Sequence, residues 1–144
     1  MKKFQFPLAR VRDWRATVAR IEEAKLEQLY AELRVIESHE AALNNERLKS
    51  ENWVARAESR TGFELAALDE FRRFAVAEHT RLEQRRADCA RRILEQIQVV
   101  ARKRRDVRLL ENLEHKRRVN WRRELEREIE SLAGESYLAK WERQ

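Results

Sequence analysis

Apolar residues return along this chain at alternating steps of three and four, the spacing that keeps one stripe of a helix facing a neighbour. Leu8, Val11, Trp14, Val18 and Ile21 open the first series, and Leu26, Leu29, Leu33, Ile36 and Leu43 continue it. The step of five between Ile21 and Leu26 reads as a phase slip that unwinds a supercoil locally without ending the helix. The pattern predicts a first helix over about 7–58, with Pro7 in the opening turn, where its missing amide hydrogen has no intrahelical partner to lose. Ser59, Arg60, Thr61, Gly62 and Phe63 include the first of the chain's two glycines. Their side chains bond their own backbone and place a reversal at about 59–64. A second series, from Leu65, Leu68, Phe71, Ala75, Leu82 and Cys89 through Ile93, Ile97, Val100, Val107 and Leu110 to Trp121, Leu125, Ile129 and Leu132, predicts a helix over about 65–133. The fold read from this pattern is all-α and a single domain: two long helices forming an antiparallel coiled-coil hairpin.

Equal rise along both helices fixes what should face what. With the reversal at Thr61 and Gly62, facing residues have numbers that add to about 123. Leu26 then meets Ile97, Leu29 meets Ile93 or Leu94, Trp14 meets Leu109 or Leu110, and Leu48 meets Ala75. The same register leaves residues beyond about His115 as an overhang of roughly 25 residues, or ~40 Å. That overhang carries Trp121, Leu125, Ile129, Leu132, Tyr137, Leu138 and Trp141, an apolar stripe that needs a partner from elsewhere.

Composition agrees with a rod rather than a globule. Of 144 residues 40% are charged and 42% hydrophobic, which suits a narrow seam, and two glycines with one proline leave little means of turning. Lys2 and Lys3 resemble the head of a signal peptide, but Pro7, Arg10, Arg12 and Asp13 interrupt the apolar run that should follow. Charges recur too often for a transmembrane segment, so the chain reads as soluble and cytoplasmic. Cys89 is the sole cysteine, which excludes an internal disulfide and a cysteine-based zinc site within one chain.

The chemistry of catalysis is missing from the pattern. A two-helix rod offers no concave cavity, Gly62 and Gly134 are too distant for a phosphate-cradling loop, and no Gly-Lys-Ser/Thr triplet occurs. His39, His79 and His115 are scattered, so no metal or cofactor is expected, and Glu22 with Glu23 reads as solvated helix surface. Net charge is +6, concentrated between Arg102 and Arg123. Such a run fits nucleic acid, an acidic protein surface or an ordinary solvated face. Neither a basic region leading into a zipper nor an aromatic stacking platform accompanies it, which argues against nucleic acid. Phe63, Phe71 and Phe74 cluster after the reversal. A two-helix seam covers one of Phe71 and Phe74 and frees the other for docking, though both also fit a simple cap on the hairpin tip.

Lys3-Phe4-x-Phe6-x-Leu8-x-x-Val11, a long charged helix, a Ser/Gly turn near the middle, a restart carrying Phe71 and Phe74, and a basic helix ending in acidic heptads together resemble the flagellar export protein FliJ family. The resemblance spans nearly the whole chain and departs from the family at Gly134. It implies a non-enzymatic component of the bacterial flagellar type III export apparatus, similar in fold to the central stalk of rotary ATPases. It also implies binding to the hexameric export ATPase, to a membrane export gate protein and to export chaperones, and a peripheral place at the cytoplasmic face of the inner membrane. Gate contact then falls at Phe71 and Phe74. ATPase contact falls on the N-terminal turns and on Arg117, Arg118, Arg122, Arg123 and Arg127. The competing reading is a generic structural or tethering coiled coil, homodimeric through parallel pairing of each helix with its copy.

Overall fold

The computed structural model describes residues 2–56 and 58–142. The chain is all-α, with helix α1 at Ala9–Ala55 and helix α2 at Gly62–Trp141. Ala57, which the apolar pattern assigns to the first helix, lies outside the described residues. Two compact units are distinguishable: the residues up to Ile21 with those from Ala101 onward, and Glu22–Val100. In each, a piece of α1 packs against a piece of α2.

The Glu22–Val100 unit contains the reversal. Ile36, Leu82, Cys89 and Ile93 form its buried centre, and Leu26, Leu29, Tyr30, Leu33 and Leu43 pack around them. Ion pairs flank this seam, Arg86 with Glu37 at 3.5 Å and Glu40 at 3.1 Å, and Arg92 with Glu32 at 3.3 Å. The numbers of these partners add to between 123 and 126, so the expected antiparallel register holds here. Of the two candidates to face Leu29, Ile93 is the buried one and Leu94 is 65% exposed. Cys89 sits in the seam, its Sγ donating to the Leu29 carbonyl oxygen at 3.5 Å, and burial first, then the nearby Glu32, pushes its thiol pKa up.

The start of α2 is more explicitly capped than the glycine alone implies. Thr61 Oγ1 accepts the Glu64 amide at 3.2 Å while Glu64 Oε2 accepts the Thr61 amide at 2.9 Å. This reciprocal capping box satisfies two amides that the helix itself cannot. It starts α2 at Gly62 rather than 65, so Gly62 is a helical residue without positive φ. At the other side, Arg60 donates to the Trp53 carbonyl oxygen, and its guanidinium lies 3.6 Å from the Trp53 ring centroid. A cation is thereby held at the C-terminal, partly negative end of α1.

The second unit pairs the start of α1 with the later part of α2. Here Arg12 bonds Glu114, and Arg15 reaches Asp106 at 3.4 Å. Hydrogen bonds from Arg12 and then from Arg118 hold the Glu114 carboxyl below its ordinary value. Pro7 is not inside the helix. It is the second residue of a turn in which the Ala9 amide donates to the Phe6 carbonyl oxygen at 3.1 Å, a position that suits its fixed φ.

Two sequence expectations are corrected, one along α1 and one in this unit. The five-residue step is no phase slip, because the covered stripe runs through Leu8, Arg12, Arg15, Ala19, Glu22 and Leu26 in unbroken helical phase. Val11, Trp14 and Ile21 lie on another face, 43%, 59% and 51% exposed, so Trp14 is not a seam residue. The other correction concerns the overhang. Trp121, expected to be bare, packs against Phe4 with centroids 5.9 Å apart and ring planes tilted by 55°, and its Nε1 donates to the Lys2 carbonyl oxygen at 3.2 Å. Side chains alternate sides in an extended segment. Residues 2–6 have no helical structure, and they place Phe4 half-buried and Phe6 buried between exposed neighbours. Beyond this strap α2 continues through Gly134 to Trp141 rather than ending at Ala133. An exposed mid-helix glycine costs about 1 kcal/mol, too little to stop a helix surrounded by Glu, Leu, Ala and Lys.

Candidate partner-binding surfaces

The Glu22–Val100 unit places Phe71 and Phe74 on adjacent turns of α2, ring centroids 6.5 Å apart at 40°. Phe71 is half-buried, whereas Phe74 is 57% exposed. Residues three apart lie about 60° from each other on a helix, so they are neighbours, with Phe71 toward the seam and Phe74 at its solvent side. Phe71 lines a hollow of 550 Å³ together with Trp53, Phe63 and Leu68, edged by Glu46, Lys49 and Glu64. Trp53 is absent from the sequence-level candidates for this surface. The register names it, because residue 53 falls opposite residue 71.

A wider groove of 1210 Å³ lies farther along the same unit, between the 37–51 and 72–90 stretches. Its floor is Ala41, Leu43, Ala75, Val76, Ala87 and Ala90. Small side chains leave the space, and polar pairs edge it: Arg86 with Glu37 and Glu40, Arg47 with Glu51, and the His79 imidazole beside Glu83. Among the described residues no group of three or more His, Cys, Asp and Glu is placed to hold a metal ion.

In the other unit Arg117, Arg118, Arg122, Arg123 and Arg127 are all exposed. They do not form one patch. At about 100° per residue, Arg118 and Arg122 share one face and Arg123 and Arg127 another, with Arg117 on a third, so positive charge encircles the helix. Arg118 differs from the rest because it donates to Glu114 at 3.1 Å and lies 5.1 Å from the Phe4 ring centroid. It clamps the N-terminal strap. Nearby on α1, Val11, Trp14 and Ile21 form the exposed apolar stripe described above.

No family model, curated protein or solved structure matches the chain. Its surfaces therefore have to be read from their own chemistry. Among the described residues no helix is long and apolar enough to cross a membrane.

Proposed function

We propose that the chain is a non-enzymatic, FliJ-like component of a flagellar type III export apparatus. In this reading it binds the hexameric export ATPase as a central stalk and meets the export gate and export chaperones from the cytoplasmic side of the inner membrane. The observation that carries the ATPase half is the ring of exposed arginines around α2. A flat partner would need its charges on one face, whereas a pore lined by six copies of one subunit meets a helix from all sides. An unsymmetrical helix then contacts each subunit differently and biases their states unequally. Val11 and Trp14 supply apolar contact at the N-terminal turns. For the gate, Phe74 offers an exposed ring that a partner would desolvate, beside the Trp53, Phe63 and Phe71 hollow, the kind of aromatic cluster that dominates interfaces.

Adding the purified protein to the cognate export ATPase tests this directly, with hydrolysis rate and ring assembly as readouts. Stimulation with hexamer formation is expected, and an active ATPase that ignores the protein would overturn the proposal. Phe74→Ala is expected to weaken gate binding at least tenfold with helicity unchanged, since an exposed ring contributes little to folding and a buried anchor is worth about 2 kcal/mol or more in an interface. A helicity loss parallel to the binding loss would make Phe74 a packing residue instead. The tethering reading is favoured by a different observation, the exposed apolar end of α2.

A further inference from the structure

Two arginines mark opposite edges of the seam where the start of α1 meets the later part of α2. Arg12 holds Asp13 and Glu114 at one edge. Arg15 reaches Asp106 at the other and lies 5.2 Å from the Trp14 ring centroid. On that second side Val11, Trp14, Val18 and Ile21 fall within one ~80° arc of α1. Arg102, Leu109, Leu113 and Lys116 stand four residues before Asp106 and three, seven and ten after it, so they share its side of α2. Val18 and Leu113 are half-buried, whereas Trp14, Ile21 and Leu109 are each more than half exposed.

Charge and shape together identify what fits this side. Residues 2–21 and 101–123 carry sixteen Lys and Arg against four acids, Asp13, Asp106, Glu111 and Glu114, so a partner must be anionic. Of the four acids only Asp106 stands on the Trp14 side, and it is paired with Arg15. A third helix laid in the groove between α1 and α2 would touch Val18 and Leu113, which are already half-buried, and would miss Trp14, Ile21 and Leu109, which turn outward past the groove. A plane laid across both helices meets the whole set. At such a plane an indole sits well among lipid headgroups, and Arg102 and Lys116 can lay their stems along it with the charges outermost.

We propose that this side of the paired helices binds the surface of an anionic bilayer, with Val11, Trp14, Ile21 and Leu109 seated among the headgroups and Arg102 and Lys116 against lipid phosphates. The inference does not rest on the export reading. A bilayer and an ATPase would compete for Val11 and Trp14, so the two contacts exclude each other.

Flotation of the full chain with phosphatidylcholine vesicles containing about 30% phosphatidylglycerol tests the assignment. Binding is expected at ~0.05 M salt and is lost towards ~0.5 M as the charges are screened. Vesicles of phosphatidylcholine alone bind more weakly by on the order of tenfold or more. Trp14→Ala, and the pair Arg102→Gln with Lys116→Gln, each weaken binding by on the order of tenfold. Helicity is unchanged in these variants because the side chains are exposed. Trp14→Phe keeps an apolar ring but removes the reporter, so quenching of tryptophan emission by lipid brominated in its acyl chains falls. No binding to the anionic vesicles at low salt, binding indifferent to Trp14→Ala, or quenching that survives Trp14→Phe and so seats Trp141 in the bilayer instead would each overturn the proposal. A short DNA duplex or poly-glutamate bound as tightly as the vesicles would make this a general polyanion surface and overturn it equally.

Discussion

Replacing Ile36 by alanine lowers the stability of the Glu22–Val100 unit by about 2–5 kcal/mol. Ile36 is 0% exposed and meets Leu82, Cys89 and Ile93 at the centre of the seam. In a two-helix seam the neighbours cannot collapse inward from a third side, so the loss of contacts combines with a cavity that persists. Leu94→Ala is the control. It removes the same class of side chain one residue from Ile93, but from a position 65% exposed, and is expected to shift the denaturant midpoint little. Urea titration followed by far-ultraviolet circular dichroism reads both. Equal shifts for the two variants would mean that the packing around Ile36 does not hold the unit together.

That contrast depends on register, and register is what the apolar pattern conveyed best. The reversal near residue 61 together with equal helical rise was enough to bring Ile93 opposite Leu29. The pattern failed where apolar residues and the covered face diverge. Val11, Trp14 and Ile21 are a well-spaced series, yet α1 covers Arg12, Arg15, Ala19 and Glu22. Long arginine side chains lie along a seam with their charge at its edge, and Arg12 and Arg15 each find a carboxylate there. A hydrophobicity count gives no credit for that, so it read an uninterrupted helix as a phase slip.

The candidate surfaces were partly readable for similar reasons. Phe71 and Phe74 stood out as aromatics after a turn, but the hollow beside Phe71 needs Trp53, which arrives from the other helix. Thr61 and Glu64 spell a capping box that a reading centred on Gly62 passes over. The Phe4 and Phe6 pair was visible as a motif, but its use was not. An extended strap has period two, and a search for helical spacing has no place for it. Finding that strap shortens the unpartnered end of α2 and changes which arginines are available to another molecule.

Under the proposed stalk function, reversing Arg117, Arg122, Arg123 and Arg127 to glutamate, with Arg118 left in place, is expected to reduce stimulation of the export ATPase by on the order of tenfold or more. Like charges set against each other in an interface cost several kcal/mol, and each 1.4 kcal/mol is a factor of ten. Arg118 is kept because it bonds Glu114 and covers Phe4, so its reversal would loosen the strap and confuse folding with binding. The four others lie on exposed helix surface, and exposed charges contribute little to stability. Helicity and thermal midpoint should therefore stay near those of the unaltered chain. Raising salt should weaken stimulation by the unaltered chain and leave the residual activity of the variant almost unchanged. Full stimulation by the variant at low salt would show that the arginines encircling α2 are solvated surface. Stimulation lost in the four-residue variant but kept when only Arg123 and Arg127 are reversed would confine the contact to the Arg117 and Arg122 faces.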